Sequence, residues 1–377
     1  MKKILITGGA GFIGSHLALR LHERGYEVTV LDNLSPQIHT SNPENSVLYR
    51  SIKDKVRFIR GDVTSRADLE TALAGQQVVV HFAAETGTGQ SMYQIEHYCA
   101  VNVGATSLLL DMLANGPHQV ERMVIASSRS VYGEGKYLSA EQGAVYPGHR
   151  AADAMSAGDF EVHHPGCSAP LTLAATDEES KIHPSSVYGI TKQVQEQLVM
   201  TVCPSLGITP VAFRYQNVYG PGQSLSNPYT GILSIFSNLI MGGKPINIFE
   251  DGKESRDFVY VEDVVTATVL GIEHDAAANQ VFNVGSGEAV DVMTVARTLC
   301  RKLGTEVPIT ISGNFRIGDI RHNYASLDKI SSLLGFTPAY NFERGITAFC
   351  AWAADTGAVA SDYEASLREM RDKGLLK

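Results

Sequence analysis

Tyr188 and Lys192 are the residue pair in this sequence with the clearest chemical potential. They lie one turn apart in a helical pattern that continues through Val194 and Leu198, so both side chains are on one face of that helix. A lysine ammonium beside a phenol favours the phenolate, and a phenolate can act as a general base. Because this spacing is common by chance, the pair is informative only together with the elements that precede it.

A glycine-rich turn near the N-terminus predicts a dinucleotide site. Gly8, Gly11 and Gly14 directly follow the strand Ile4–Ile6 and open a helix. Such glycines allow a tight turn and a close approach of backbone N–H groups to a pyrophosphate. Asp32 ends the second strand, where a carboxylate accepts the ribose hydroxyls and repels a 2′-phosphate. NAD is therefore expected rather than NADP; the alternative is a glycine-rich turn with an ordinary strand-ending aspartate.

The elements that must position these residues alternate between short β-branched runs and helical patterns. This alternation predicts an α/β fold with a doubly wound parallel sheet of the Rossmann type. The candidate strands are Ile4–Ile6, Val28–Leu31, Val56–Ile59, Val78–Phe82, Met123–Ala126 and Val211–Phe213. We expect residues 1–213 to form an NAD-binding domain and residues 214–377 mainly a smaller, mixed α/β substrate-binding lobe, interleaved with the first domain. Residues 134–181 interrupt the pattern as a long insertion, whose length indicates function or disorder.

Composition excludes several classes of protein. The formal net charge of -9 includes no basic block that would attract nucleic acid or an anionic membrane. The N-terminal apolar run is too short for a signal peptide, and no apolar run reaches the ~18 residues of a membrane span. The 5 cysteines are widely spaced and odd in number, which favours a reducing cytoplasm. His149, His163, His164 and Cys167 lack the spacing of a zinc site, so no metal is expected.

Further motifs follow in a fixed order. They are Thr7-Gly-Gly-Ala-Gly-Phe-Ile-Gly14, Asp32-Asn33, Gly61-Asp62, His81-Phe82-Ala83-Ala84, Asn102, Ser127-Ser128, Val131-Tyr132-Gly133, Tyr188 with Lys192, Arg214-Tyr215, Asn217-Val218-Tyr219-Gly220-Pro221, Arg256-Asp257-Phe258-Val259-Tyr260-Val261 with Asp263, and Arg316-Ile-Gly-Asp319. With them the chain resembles, over essentially its full length, the extended short-chain dehydrogenase/reductase family of nucleotide-sugar epimerases and dehydratases. The resemblance implies NAD as cofactor and a dTDP- or UDP-linked nucleotide-diphosphate sugar as substrate. It also implies a homodimer formed by the helix after Asn102 and the Tyr188 helix, although the same apolar faces could instead serve the core of the monomer.

The same resemblance implies roles for individual residues. Tyr188 becomes the base, Lys192 a ligand of the nicotinamide ribose and a modulator of the tyrosine pKa, and Ser128 the hydroxyl that hydrogen-bonds the reacting sugar oxygen. The expected cofactor-binding residues are Gly8, Gly11, Phe12, Ile13, Gly14, Asp32, Asn33, Asp62, Val63, Phe82, Ala83, Ala84, Asn102, Tyr188 and Lys192. The expected substrate-binding residues are Glu85, Thr86, Ser128, Asn217, Arg256 and Arg316.

For several of these residues a structural role is the alternative. Asp62 could contact adenine or only form a turn, Asn217 could be a turn residue, and Arg316 could be a solvated surface charge. Arg256 and Arg316 would clamp phosphates, a task that suits the guanidinium fork. His81 is expected to be structural, and Asn102 is expected to anchor backbone rather than substrate.

Family members diverge after a shared oxidation at C4 of the sugar. The dehydratases carry an Asp-Glu pair directly after the serine or threonine, whereas this sequence has Arg129 and Ser130 there. Without that pair, 4,6-elimination lacks its proton donor and base, which leaves 4-epimerisation as the simplest chemistry, with Tyr188 acting first as base and then as acid.

Three departures from ordinary UDP-galactose 4-epimerases give a finer resemblance. They are the segment Glu85-Thr-Gly-Thr-Gly-Gln-Ser91, Gln216 in place of the usual Phe, and the segment Gly222-Gln-Ser-Leu-Ser-Asn-Pro-Tyr229. With the insertion, they resemble the branch of the family that interconverts dTDP-L-rhamnose and dTDP-6-deoxy-L-talose. UDP-glucose/UDP-galactose 4-epimerisation, an NADPH-consuming 4-keto reductase and a non-catalytic NAD-sensing protein stay as alternatives.

Overall fold

The computed structural model describes residues 2–39, 42–229 and 231–377. Strands and helices are numbered separately along the chain. The strands are β1 (Lys3–Thr7), β2 (Glu27–Asp32), β3 (Arg57–Arg60), β4 (Val78–His81), β5 (Arg122–Ser128), β6 (Tyr137–Ser139), β7 (Gly143–Val145), β8 (Thr172–Leu173), β9 (Thr209–Tyr215), β10 (Asn217–Tyr219), β11 (Ile246–Ile248), β12 (Ser255–Arg256), β13 (Phe258–Tyr260), β14 (Gln280–Val284), β15 (Val290–Asp291), β16 (Ile309–Ile311) and β17 (His322–Asn323).

The helices lie between and after these strands. They are α1 (Phe12–Glu23), α2 (Pro36–His39), α3 (Val47–Ile52), α4 (Arg66–Leu73), α5 (Thr88–Ser91), α6 (Ile95–Tyr98), α7 (Ala105–Asn115), α8 (Ala152–Ser156), α9 (Val187–Ser205), α10 (Ile232–Met241), α11 (Val261–Glu273), α12 (Val292–Leu303), α13 (Asp328–Leu334), α14 (Phe342–Thr356) and α15 (Tyr363–Asp372). A π-helical segment, Cys99–Gly104, joins α6 to α7, and a 3-10 turn, Arg129–Tyr132, follows β5. No helix in the described part of the chain is long and apolar enough to cross a membrane.

Seven of the strands form one parallel sheet in the order β14-β9-β5-β4-β1-β2-β3. The predicted α/β fold with a Rossmann-type doubly wound sheet is confirmed. The chain runs from β1 outward to β2 and β3 on one side and then returns to β4 on the other. In such sheets, ligands bind at the carboxyl ends of the strands, beside the point where the strand order reverses.

Helices cover both faces of this sheet. Ile4 and Ile6 of β1 pack with α1 and α11, whereas Leu5 belongs to the cluster that includes α7 and α9. All three side chains are fully buried. Because a strand alternates its side chains between the two faces, a continuous apolar run predicts a strand covered on both sides.

The second segment of the chain contributes to both halves of the molecule. β14 extends the large sheet by pairing with β9, while α10, α12 and α14 surround a second apolar core. The smaller sheets of this region pair β10 with β13, β11 with β16, and β12 with β15 and β17. The proposed boundary at residue 213 stays a prediction.

The insertion over residues 134–181 has its own secondary structure. β6 pairs with β7 and β8 in an antiparallel sheet, over a small cluster that contains Tyr137 and Val162. Two ion pairs join it to the segment after residue 213: the buried pair of Arg150 with Glu250 (2.8 Å), and the pair of the buried Arg321 with the exposed Glu161 (2.7 Å). These partners are distant in sequence, so local periodicity could not indicate them.

Candidate active site

The glycine loop between β1 and α1 leaves space that only glycine permits. Gly8 has φ 68°, and a Cβ there would lie 2.7 Å from the backbone nitrogen of Ala83. A Cβ on Gly14 would overlap the carbonyl oxygen of Gly8. Gly11 caps α1 without a side-chain hydrogen bond, so the first N–H groups of this helix stay free for an anion. This cradle fits the pyrophosphate of a dinucleotide.

Asp32 lies at the carboxyl end of β2, beside the glycine loop. Its Oδ2 accepts a hydrogen bond from the Ala10 N–H (3.0 Å), and its Oδ1 accepts one from the Leu34 N–H (2.9 Å). These two bonds fix the carboxylate at the position where a ribose would bind. Burial raises the pKa of Asp32, although the hydrogen bond from Leu34 and the nearby His39 oppose that rise.

Asp62 forms a turn, which is one of the two roles that the sequence left open. Its Oδ1 accepts hydrogen bonds from the backbone N–H (2.8 Å) and hydroxyl (2.7 Å) of Thr64, as in a turn, and its Oδ2 accepts one from the Asn33 side chain (3.0 Å). Burial raises its pKa, but the bonds from Thr64 and Asn33 outweigh burial and lower it. Asp62 and Val63 also line the cavity described below.

His39 is a residue at the ribose end that the sequence did not indicate. It is buried, its Nδ1 lies 2.8 Å from the Ser46 hydroxyl, and its Nε2 lies 3.9 Å from Asp32 Oδ1. Burial lowers the pKa of His39. A histidine in a short helix outside any motif gives no sequence signal.

One continuous cavity of about 1150 Å³ extends from the glycine loop to residues of the segment after residue 213. It is lined by every residue expected to bind cofactor or substrate except Asn102. Asn102 is fully buried and anchors Glu85: its Oδ1 accepts from the Glu85 N–H (2.8 Å), and its Nδ2 donates to the Glu85 carbonyl (3.1 Å) and to Thr191 (3.0 Å). Its place is therefore behind the cofactor wall, in the anchoring role that was expected.

The residues that are expected to be catalytic lie where β5 meets α9. Ser128 is the last residue of β5, and Tyr188 is in the first turn of α9, which Ser186 caps by accepting from the Gly189 N–H (3.1 Å). The Tyr188 N–H donates to the Ser91 hydroxyl (3.0 Å), which ties α9 to α5. Burial raises the pKa of Tyr188, while a hydrogen bond with Ser128 and the positive charge of Arg129 oppose that rise.

Lys192 lies one turn further along α9, as predicted. Its Nζ is 6.0 Å from the centroid of the Tyr188 ring and donates a hydrogen bond to the Ala126 carbonyl (3.0 Å). Burial lowers the pKa of Lys192 to about 7. Among the described residues, no hydrogen bond joins the Lys192 amine to the Tyr188 hydroxyl.

His81 has a structural environment. It is buried, its Nδ1 lies 2.7 Å from the Thr7 hydroxyl, and its Nε2 lies 3.1 Å from the Thr106 hydroxyl. Burial, with the nearby Lys192, lowers the pKa of His81 to about 3. A neutral imidazole thus bridges β1, β4 and α7 behind the glycine loop.

The far end of the cavity carries the arginines expected to bind phosphates. Arg256 Nη2 lies 3.4 Å from Asp319 Oδ1, and Arg316 Nη2 lies 2.8 Å from Asp319 Oδ2. The positive charge of these arginines outweighs burial and lowers the pKa of Asp319 to about 2. Because two guanidinium groups share one carboxylate, positive charge remains for an anionic ligand. Arg316 is thus part of a cavity-lining cluster rather than an isolated surface charge.

Two more polar residues at the site were not among the expected ligands. Glu254 and Gln216 line the cavity, and Glu254 Oε2 and both amide atoms of Gln216 are buried without a hydrogen-bond partner among the described residues. Burial raises the pKa of Glu254 to about 7. The sequence could have indicated both residues, because Gln216 precedes Asn217 and Glu254 lies two positions before Arg256.

A Rossmann-type sheet with a glycine loop at α1 and a Ser-Tyr-Lys centre at the adjoining edge defines an NAD-binding enzyme of the short-chain dehydrogenase/reductase type. The NAD dependent epimerase/dehydratase family matches residues 4–285, and the chain belongs to that family.

Individual relatives agree with this assignment. The chain is 39% identical over 356 residues to the dTDP-L-rhamnose 4-epimerase of Burkholderia thailandensis, which covers 94% of this chain and 95% of the relative. It is similar to the UDP-glucose 4-epimerase of Thermotoga maritima solved with UDP-glucose (28% identity, TM-score 0.75, 94% of this chain and 99% of that one). It is also similar to the Bacillus cereus UDP-glucuronic acid 4-epimerase solved with UDP-glucuronic acid and NAD (25% identity, TM-score 0.75, 94% and 99%). The predicted family, the NAD cofactor and the isomerase class are confirmed.

Proposed function

We propose that the protein catalyses NAD-dependent 4-epimerisation of a nucleotide-diphosphate sugar, and that its substrate pair is dTDP-L-rhamnose and dTDP-6-deoxy-L-talose. The observation that carries the reaction type is one cavity in which Ser128, Tyr188 and Lys192 lie between the glycine loop and the Arg256–Arg316 cluster. This arrangement puts the base where a bound cofactor and a phosphate-anchored sugar would meet. The similarity to the Burkholderia thailandensis enzyme supports the choice of sugar and nucleotide.

NAD, when bound, would accept a hydride from C4 of the sugar and return it to the opposite face of C4. The chain supplies the proton chemistry. Tyr188 removes the proton of the C4 hydroxyl and gives it back to the C4 oxygen, while Ser128 holds that oxygen by a hydrogen bond. Arg256 and Arg316 hold the diphosphate, so the sugar can turn without leaving the cavity.

The residues after Ser128 argue against dehydration. Elimination needs an acid near the leaving group, and the two positions that follow Ser128 hold a guanidinium and a hydroxyl, Arg129 and Ser130. Neither group is acidic enough to protonate a leaving hydroxyl near neutral pH. Return of the hydrogen to C4 requires no additional acid, which is why epimerisation fits the site best.

The test is incubation of purified protein, without added cofactor, with dTDP-L-rhamnose, UDP-glucose and UDP-galactose in separate reactions. We expect dTDP-6-deoxy-L-talose from the first and turnover at least about tenfold slower from the others. Conversion of the UDP-sugars alone would reject the proposed sugar but keep 4-epimerisation. A stoichiometric requirement for NADPH would reject epimerisation in favour of a reductase.

The individual site residues belong to this proposal. We assign Tyr188, Lys192 and Ser128 to catalysis, the cavity-lining residues from Gly8 to Ala84 named above to NAD, and Glu85, Thr86, Asn217, Arg256 and Arg316 to the nucleotide sugar. A cytoplasmic location and a homodimer are part of the same proposal. The exposed Ile190 on α9 supports the dimer face, and it lies near Leu108, Met112 and Leu198, which are partly exposed but also pack against the core of the monomer.

A further inference from the structure

The residues that follow α15 pair with the segment that carries Arg316. Phe315 and Lys377 exchange two backbone hydrogen bonds (2.9 and 3.0 Å), and the Ile317 N–H donates to the Leu375 carbonyl (2.9 Å). Arg316 lies between these bonds in the chain. This pairing holds α15 beside an arginine that we propose binds the diphosphate of the sugar nucleotide.

α15 contributes to an apolar wall of the cavity. The wall consists of Phe249, Tyr363 and Met370, which line the cavity and belong to one apolar cluster. The Arg316 guanidinium lies 5.5 Å from the centroid of the Phe249 ring. Burial raises the pKa of Tyr363, and the charge of the nearby Arg316 opposes that rise. Phe249 and Tyr363 therefore form the end of the wall next to Arg316.

Met370 forms the other end of the wall, toward the catalytic residues. It is buried, and a Cβ on Gly89 would lie 3.3 Å from its Sδ. Gly89 is in α5, and the Ser91 hydroxyl of the same helix accepts the Tyr188 N–H (3.0 Å). α5 thus contacts both Met370 and the first turn of α9. A sugar with its diphosphate at Arg316 and its C4 oxygen at Tyr188 would lie along this wall.

The polar groups next to Met370 are bonded to one another. The hydroxyls of Tyr93 and Tyr229 lie 2.8 Å apart, and each lies 3.2 Å from Glu369 Oε2. These contacts join α15 to both segments that depart from ordinary UDP-galactose 4-epimerases, since Gly89 belongs to residues 85–91 and Tyr229 to residues 222–229. The departures therefore meet at α15, beside the expected place of the sugar.

We propose that Met370 is a specificity-determining residue, which contacts the C6 methyl group of a 6-deoxy sugar. This inference rests on the proposed function. Because 4-epimerisation turns the sugar about its bond to the diphosphate, the ring edge that carries C6 faces the wall in one of the two orientations. A methyl group packs favourably on a thioether, which adapts to irregular apolar gaps. A hydroxyl group there would exchange its bonds to water for a weak acceptor.

The test compares dTDP-L-rhamnose with dTDP-L-mannose, which differ only by a hydroxyl group at C6. The kcat/KM of each is measured for wild type, Met370→Gln and Met370→Leu. An apolar pocket rejects an added hydroxyl by about 10²-fold, so we expect wild type to prefer dTDP-L-rhamnose by about that factor. Met370→Gln, which brings an amide to the wall, should reduce this preference by about tenfold or more. Met370→Leu conserves the volume and apolar character of the side chain and should keep the preference.

Leu367→Gln is the matched control. Leu367 is buried in the same helix and the same apolar cluster, but it is not among the described residues that line the cavity. This variant should lose stability and keep the preference, because a ratio of two kcat/KM values does not depend on the amount of folded protein. A preference that Met370→Gln leaves unchanged, or that Leu367→Gln reduces equally, overturns the inference.

A second readout does not depend on turnover. Calorimetry measures the affinities of dTDP-L-rhamnose and dTDP-L-mannose for Tyr188→Phe and for the double variant Tyr188→Phe/Met370→Gln. A direct contact between Met370 and C6 predicts that the double variant has a smaller affinity ratio in favour of dTDP-L-rhamnose. Equal affinity ratios in the two proteins reject that contact.

The failure of this inference and the failure of the proposed function are distinguishable. Wild-type protein that converts UDP-sugars but neither dTDP-sugar rejects the proposed substrate, and UDP-6-deoxy-D-glucose with UDP-D-glucose then provides the same comparison at C6. Conversion of dTDP-L-rhamnose, with a preference that Met370→Gln does not change, rejects only the role of Met370. A wild-type preference for the 6-hydroxy sugar of the converted pair also overturns that role.

Discussion

Arg150 of the insertion donates a hydrogen bond from Nη2 to the backbone carbonyl of Asp319 (3.0 Å). The same guanidinium makes two bonds of 2.8 Å to Glu250, and its Nε lies 3.3 Å from Glu134. All three side chains are buried. Since Asp319 also pairs with Arg256 and Arg316, Arg150 links the insertion to the two arginines that we propose bind the diphosphate.

Arg150→Met should therefore weaken the nucleotide-sugar site more than the NAD site. We expect KM for the nucleotide sugar to rise about tenfold, because a displaced Asp319 loosens both arginines, while NAD affinity stays unchanged. Breaking a buried ion pair also costs about 3 to 5 kcal/mol of unfolding free energy. Lys136→Met is the matched control, because Lys136 pairs with Asp177 at a more exposed position in the insertion. Equal loss of NAD and sugar affinity in Arg150→Met would argue for general unfolding instead.

Asp32→Ala should release NAD. Removing a carboxylate that accepts ribose hydroxyls costs about 10- to 100-fold in affinity, whereas Asp32→Asn keeps one acceptor oxygen, for the N–H of either Ala10 or Leu34, and should lose less. Denaturing each purified protein and quantifying NAD in the supernatant measures the effect. If Asp32→Ala protein retains as much NAD as wild type, Asp32 does not bind the ribose.

His81 makes stability sensitive to acid. The pKa of His81 is lowered to about 3 in the folded protein. Below about pH 6.5 the unfolded chain therefore binds a proton that the folded chain does not. The folded state loses stability as the pH falls from about 6.5 toward 3. The contribution is up to about 5 kcal/mol. Denaturant unfolding of His81→Gln should show a correspondingly flatter pH dependence than that of the wild-type protein. A His81→Gln curve parallel to wild type would contradict the buried neutral imidazole.

The dimer prediction concerns the exposed side of α9. Ile190 is 49% exposed, next to the partly exposed Val194 and Leu198 on the same helix. Ile190→Asp should convert a dimer to a monomer at micromolar concentration in sedimentation experiments, because a buried unpaired carboxylate is costly. Wild-type protein that sediments as a monomer at that concentration contradicts the proposal directly.

Sequence patterns predicted the parts of the site that depend on local geometry. Each of these features can be predicted from residues that are close in sequence. They are the glycines, the end of β2 and the four-residue spacing of Tyr188 and Lys192. All of them line the same cavity because parallel strands present their carboxyl ends at one edge of the sheet. The order of elements was sufficient to bring them together.

The remaining features depend on contacts between distant segments. Arg129 and Asn217 are 88 positions apart, and Arg150 and Asp319 are 169 apart. The burial of His39 and the lowered pKa of Lys192 follow from three-dimensional packing. Periodicity in the sequence does not indicate such contacts. The insertion therefore had no recognisable pattern in sequence, although its Arg150 is buried against distant residues.

The central claim is that Tyr188 is the base that epimerises the sugar. Turnover of Tyr188→Phe, measured by sugar product analysis beside nucleotide-sugar affinity by calorimetry, tests it most directly. The phenyl ring still packs but cannot carry a proton, so we predict loss toward the upper end of the ~10²–10⁴-fold range for a general base, with nearly unchanged affinity. Ser128→Ala should be milder. If Tyr188→Phe keeps more than about a tenth of wild-type turnover, its loss is far smaller than that range, and Tyr188 is not the base.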